Sequence, residues 1–313
     1  MHAQILLTRY ATDSGPMTLI RSTDHLITWR SSVLGQTIAL VPTMGALHSG
    51  HIALIKHAAQ QCDVVVVSVF VNAMQFGKSS DFDQYPRSLD TDHAASIAAG
   101  ATIVFAPSAA DMFPANFDNY ITPSTVADDF EGASRPGHFA GVVTVVNRLF
   151  DLVEPHIAIF GAKDYQQVVV IRDMTRALHP SIEIQRVETI RDTDGLALSS
   201  RNARLSPSAR KSAKVIADAL SRLHSVFQTG QVDSSVLKQT AHDVLQTQPD
   251  LTIEYLEIVD SETLKRQDQA SQKPSVVLFA GIIDEVRLID NIELQKGSTD
   301  VDRHHFDLPD TER

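Results

Sequence analysis

At 313 residues and 43% hydrophobic, the chain is long enough for one large or two ordinary domains with a substantial core. Its formal charge of −11 argues against non-specific binding to nucleic acid or anionic membrane, while leaving room for a local basic pocket that takes phosphates. A single cysteine, Cys62, excludes an intrachain disulfide, and no apolar run is long enough to span a bilayer, so a cytoplasmic location is expected.

Residues 1–16 are too polar and irregular for a secretory segment and are expected to be a flexible extension or to precede the true start. A short apolar strand is expected at 38–41, followed by a Gly-containing turn and a helical pattern at 52–61. The β-branched run VVVVSVFV at 64–71 has the character of a parallel strand buried on both faces, and Cys62 beside it reads as a packed thiol. A helix at 90–99 is ended by Gly100, and a strand follows at 103–106. A helix at 142–153 stops at Glu154–Pro155, a strand is expected at 157–160, and a helix at 164–178 closes the series. Strands alternating with helices predict an α/β fold, a Rossmann-like doubly wound parallel sheet over 17–189. The texture then changes to amphipathic helices at 207–227 and 234–246 and strands at 253–259, 276–280 and 286–289, the last two antiparallel across 281–285. This predicts a smaller α+β domain over 190–296, hinged on the first. Residues 297–313 read as a flexible tail in which His304 and His305 are solvated.

The most informative stretch is TIALVPTMGALHSGH at 37–51. A strand, a turn and a helix start carry His48 and His51 in an HxGH pattern. Backbone N–H groups and the helix dipole at such a place suit a polyphosphate, and imidazoles beside it can stabilise charge that grows in a transition state. Gly50 would let the backbone come close to the ligand. The alternative reading, two histidines capping a helix, stays open on this motif alone. HxGH, Asn72 with Gln75, and Lys163 with Asp164 each fall just past a predicted strand end, where ligands of doubly wound sheets bind.

Three further segments accompany that motif: VSVFVNAMQFGKSSDFDQYPRSLDTD at 67–92, FEGASRPGHFAGVVTVVNRLFDLVEPHIAIFGAKDYQQVVVIRDM at 130–174, and RDTDGLALSSRNARLSP at 191–207. Together, in this order, they resemble the pantothenate synthetase (pantoate–β-alanine ligase) family of the HxGH nucleotidyl transferases, from about residue 17 to 294.

The resemblance implies condensation of pantoate with β-alanine at the expense of ATP, through a pantoyl adenylate, releasing pyrophosphate and AMP. It implies His48, His51 and Lys163 as catalytic groups on the ATP phosphates, with Asp164 on the ribose and Gly161 allowing close approach. An N-cap role is the alternative for Asp164. Ser199, Ser200 and Arg201 would hold the β- and γ-phosphates. Closure of the second domain, which LSSRN would open, would complete the site. Ile190 and Leu198 would touch adenine, and Met44 would line the ATP side as well as the acid pocket. Gln75 and Gln167 would bind pantoate, with Asn72 between them and Met44 and Phe70 as an apolar wall. Arg135 and His138 would add charge near the cleft or serve a subunit contact. Mg²⁺ would arrive with ATP, with Asp92 the candidate protein ligand. No organic cofactor and no nucleic-acid or membrane partner is implied, and a homodimer is.

The departures from the family pattern are Ala73, Ala162, Ser49, Phe113 and Thr91, none of which removes a reacting group. Gly77-Lys78-Ser79 imitates the end of a Walker A motif, but Asn72 stands where its first glycine belongs. The competing functions are another HxGH transferase acting on a mononucleotide, a tRNA-charging module, which the acidic balance disfavours, and an inactive relative.

Overall fold

The computed structural model describes residues 11–12, 15–16, 18–77, 79–270 and 273–295. The expectations for the tail at 297–313, for His304 and His305 and for Lys78 lie outside the described residues, as does most of 1–16. Within that last stretch, Ala11–Thr12 and Gly15–Pro16 form a two-residue antiparallel pair.

Six parallel strands form the main sheet: β1 (Leu19–Ile20), β2 (Ile38–Thr43), β3 (Val64–Val69), β4 (Ile103–Phe105), β5 (Ile157–Gly161) and β6 (Glu183–Val187). Their order is β1-β4-β3-β2-β5-β6. The chain runs outward one way from β2 through β3 to β4, then returns to build β5 and β6 on the other side. The reversal lies between β2 and β5, which makes the crevice beyond their carboxyl ends the place for a ligand.

The long helices are α1 (Thr23–Ser32), α2 (Ser49–Ala59), α3 (Leu89–Ala98), α4 (His138–Val153) and α5 (Tyr165–Leu178). The strands alternate between two cores, which is why they read as unbroken apolar runs. Ile38, Leu40, Val64 and Val66 face one cluster with Trp29 of α1, Phe150 of α4 and Ile171 of α5. Ala39, Val41, Val65 and Val67 face the other with Leu54, Ile55 and Ala58 of α2 and Ala99. Cys62 is a free thiol packed at the edge of this second cluster, and burial pushes its pKa up, as expected of a packed thiol. The stop after α4 is a left-handed Glu154 (φ 44°), and Gly100 ends the turn after α3 at φ 108°.

Two strands of the main sheet and one of the long helices escaped the sequence pattern. β1 has two residues, β6 has little buried surface, and α1 buries only Leu26 and Trp29. β1 and β6 are the edge strands of the sheet, and all three elements have too few buried apolar positions to show a period.

The chain divides into compact units Met1–Leu205 and Ser206–Arg313. The division falls after Leu205 and not at 190, because residues 190–205 close on themselves and on the first unit: Leu198 N donates to Ile190 O, and Arg201 and Arg204 reach Asp81. The second unit carries α6 (Pro207–Gln228), α7 (Ser234–Leu245) and an antiparallel sheet of β7 (Thr252–Asp260), β8 (Ser275–Ile283) and β9 (Val286–Leu294), in the order β9-β8-β7. The β8–β9 turn is shorter than expected. Asp284 and Glu285 both take positive φ (52° and 60°) in a two-residue reversal, while Gly281 sits inside β8 beside a bulge against β7.

Candidate active site

Beyond β2 the chain makes a left-handed step, Gly45 at φ 83° and Ala46 at φ 50°, before α2 begins. His48 caps α2 with its own ring, Nδ1 accepting from Gly50 N at 3.2 Å. His51 Nδ1 in turn accepts from His48 N at 3.3 Å, so the two imidazoles form a reciprocal capping box. An Nδ1 that accepts from an N–H carries no proton, so each neutral ring holds its proton on Nε2. Burial, with Lys163 next, lowers the pKa of His48; burial and the neighbouring His48 lower that of His51 to about 3. The pair therefore offers neutral N–H donors. The capping reading of HxGH holds on the Nδ1 atoms and leaves the Nε2–H groups outside the capping box. Gly50 lines the cleft and has a second task besides the one expected: an added Cβ would lie 2.9 Å from His48 Nδ1, so the glycine makes room for the folded-back ring.

From β5, Gly161 leads into a short 3-10 turn, Ala162–Asp164, that carries Lys163 and Asp164. An added Cβ at Gly161 would meet no atom within 4 Å, so the space beside it is open. Asp164 stands at the N-terminus of α5 but makes no side-chain cap bond, and its side chain is half exposed. The surrounding cleft walls strip part of its water and favour the neutral form, but Lys163, 3.8 Å away, with Arg201 and Arg135, outweighs that and holds the carboxyl below its ordinary range. Across from it, residues 190–198 form a narrow loop with Arg191 bridged to Ala197, and Ser199 Oγ caps the following turn by accepting from Arg201 N.

These parts line one cleft of about 220 Å³. His48, His51, Lys163 and Asp164 face it, as do Ile190, Leu198, Ser199, Ser200 and Arg201. Met44, Phe70, Gln75 and Gln167 line it too, with Gly161, Arg135 and His138. Phe70 is both wall and core, stacked edge-on against Phe113 at 6.0 Å.

Comparison with known proteins gives the same picture. The sequence model of the family described as Pantoate-beta-alanine ligase matches residues 18–293. The chain belongs to the pantoate–β-alanine ligase family. The pantothenate synthetase of Deinococcus radiodurans is 47% identical over 263 residues, 82% of this chain and 93% of the relative. The crystal structure of pantothenate synthetase from Thermus thermophilus superposes with TM-score 0.84 at 41% identity, covering 89% of this chain and 99% of that one. That of the ligase from Francisella tularensis, complexed with beta-gamma ATP and beta-alanine, gives 0.73 at 32% identity, covering 90% and 99%.

Two residues expected in the ligase site lie behind it. Asn72 is 1% exposed and does not line the cleft; it bonds Gln75, Gly141 and Met74. Asp92, the expected metal ligand, is also buried and spent elsewhere. Its Oδ2 accepts from Ala46 N at 2.9 Å and from Ser88 Oγ at 3.2 Å, and its Oδ1 accepts from Leu47 N at 2.8 Å. An added Cβ at Gly45 would lie 2.9 Å from Oδ2. Asp92 thus braces the left-handed step that leads into HxGH. With its oxygens so committed, and no cluster of three or more His, Cys, Asp or Glu that could hold a metal among the described residues, the side chains do not fit a resident Mg²⁺.

Other lining residues carried no signal in the sequence. Val142, Val145, Val146 and Leu149 of α4 form an apolar floor, but their spacing is that of any core-facing helix. Tyr85 is almost buried and interacts with Ser200; burial raises its pKa. Gln166 and Gln167 look alike in sequence and diverge in space. Gln166 is buried and ties down Val126, Asp129 and Glu131, whereas Gln167 faces the cleft.

Proposed function

We propose that the enzyme joins pantoate to β-alanine in two steps on this one cleft. A pantoate carboxylate oxygen attacks the α-phosphorus of ATP, giving pantoyl adenylate and pyrophosphate. The β-alanine amine then attacks the acyl carbon, losing a proton as AMP leaves, and pantothenate is formed. The observation that carries this reading is the convergence of HxGH, Lys163 with Asp164, residues 198–201 and two glutamines on one crevice at the reversal of the sheet.

In this reading the Nε2–H groups of His48 and His51 donate to phosphate oxygens and Lys163 follows the charge of the α-phosphate as it becomes five-coordinate. Asp164 accepts from the ribose hydroxyls, Ser199, Ser200 and Arg201 hold the outer phosphates, and Ile190 and Leu198 sandwich the base. Gln75 and Gln167 bind the acid against Met44 and Phe70. Neutral amides hold a carboxylate without the tight ion pairing that would blunt its nucleophilicity. Mg²⁺ enters as a companion of ATP, held by phosphates and water. The enzyme works as a cytoplasmic homodimer.

The nucleotide product decides. With ATP, pantoate and β-alanine, this reading expects AMP and pyrophosphate in equal amounts. ADP with inorganic phosphate would mean an acyl phosphate route and would overturn it.

A further inference from the structure

Gln75 occupies a short 3-10 turn, Ala73–Gln75, that follows β3 and packs against α4. The fit is close: a Cβ on Gly141 would lie 2.5 Å from the Met74 carbonyl. Around this turn the hydrogen bonds determine which end of the Gln75 amide reaches the cleft.

Met74 N donates to Asn72 Oδ1 at 3.3 Å. A backbone N–H only donates, so the Asn72 atom facing it is oxygen. Asn72 Nδ2 then points the other way, donating to the Gly141 carbonyl at 3.0 Å and to Gln75 Oε1 at 3.2 Å. The Gly141 carbonyl only accepts, which fixes the same orientation from the opposite side. With its oxygen engaged by Asn72, Gln75 turns Nε2 toward Met44, 3.1 Å from Sδ, and the cleft.

The main chain of the same residue is held from below. His138 Nδ1 lies 2.8 Å from the Gln75 carbonyl and Arg135 Nη2 donates to it at 3.3 Å. Arg135 Nη1 lies 3.0 Å from His138 Nε2. A guanidinium only donates, so Nε2 accepts and the ring proton sits on Nδ1, directed at Gln75. Burial, with Arg135 next, lowers the pKa of His138 to about 4, which keeps this tautomer neutral.

We propose that Asn72 and His138 are positioning residues of the acid subsite: Asn72 sets its polarity, so that Gln75 presents its amide nitrogen to the substrate, and His138 holds the main chain that places that amide at the cleft. The proposal rests on the reading that the acid binds beside Gln75. It specifies the class of group that fits there: an acceptor, the carboxylate oxygen, and not an amine or amide N–H. An analogue whose carboxylate is replaced by an ammonium group, which has only N–H donors to present, is selected against.

The test uses the full-length enzyme in pantoate-dependent ATP–pyrophosphate exchange. Asn72→Asp keeps the shape but sets a carboxylate against the Gly141 carbonyl and Gln75 Oε1, driving the glutamine to turn over. Above neutral pH the KM for the acid is expected to rise about tenfold or more while that for ATP stays within about twofold. Acidification restores acid binding as the new carboxyl gains a proton to donate, a recovery that a merely packed residue would not show. His138→Asn, which keeps an N–H near the place of Nδ1, is expected to recover most of the acid affinity lost in His138→Leu. An acid KM that stays at the wild-type value at every pH, or that rises together with the ATP KM, overturns the proposal. If Asn72→Asp does not fold, the two His138 variants decide alone, and equal acid KM values in both overturn it. Absence of exchange in the wild type would instead overturn the underlying reading of the site.

Discussion

Two loops border the cleft, one carrying His48 and His51 and the other Ser199, Ser200 and Arg201, and they are built in opposite ways. The turn from Met44 to His51 has its polar atoms committed. Asp92 takes the N–H groups of Ala46 and Leu47, and the two histidines close on each other's backbone. The segment from 198 to 204 is held by a short cap at Ser199 and by Asp81, which Arg201 and Arg204 share at 3.2 and 3.1 Å with all three side chains about a third or more exposed. The first loop is set before any ligand arrives, as groups that stabilise a transition state need to be. The second is held by surface ion pairs, which are weak, and in the proposed reading its arginine exchanges Asp81 for a phosphate.

The sharpest way to break this comparison is to remove a proposed charge-stabilising group from each strand end. Lys163→Ala and His51→Ala are each expected to cost roughly 2.7–4 kcal/mol, about a hundredfold or more in kcat, with smaller changes in KM. Near wild-type turnover in steady-state assays of both would remove their assigned roles.

Next comes Asp92→Ala. It strands two backbone N–H groups and is expected to destabilise the fold by about 2–4 kcal/mol in denaturant unfolding, since each buried orphan costs roughly 1–3 kcal/mol and water relieves part of it. The Mg²⁺ concentration giving half-maximal rate is expected to stay the same. A large rise in that concentration would restore Asp92 as a metal ligand.

Acidification tests the neutral state of the histidines. The folded pKa of His51, about 3, and of His138, about 4, both lie below the ordinary 6.5. As pH falls the unfolded chain binds these protons first, so their contribution is complete above about pH 6.5 and is lost as pH drops through 4 and then 3. Tm is therefore expected to fall across that window, and to fall less in His138→Asn. A Tm independent of pH there would contradict the buried neutral tautomers.

The smallest effect is expected from Asp81→Asn. An exposed pair contributes about 0–1 kcal/mol, so stability barely changes, and the KM for ATP is expected to fall by no more than about fivefold as Arg201 is released to the nucleotide. A loss of ATP affinity would mean that Asp81 positions Arg201 and does not compete with the phosphates.

Much of this arrangement was legible in the sequence because it is local. Short apolar runs marked β2, β3 and β5, and motifs at the strand ends marked His48, His51, Lys163 and Asp164. What escaped depends on contacts distant in sequence. Nothing in LDTDH shows that Asp92 points back at a turn 46 residues away rather than outward to a metal. Asn72 reads as a strand-end ligand until its bond to Gly141, 69 residues on, is seen. The division after Leu205 was equally hidden, because the loop from 190 to 205 carries no apolar period and is placed only by its hydrogen bonds.

The most direct test of the account is ATP–pyrophosphate exchange without amine, followed by addition of β-alanine. The account predicts exchange that requires pantoate, then release of AMP in step with β-alanine consumed. A folded enzyme that binds ATP yet shows no exchange with pantoate would contradict it, because the cleft beside Gln75 would then hold no nucleophilic acid.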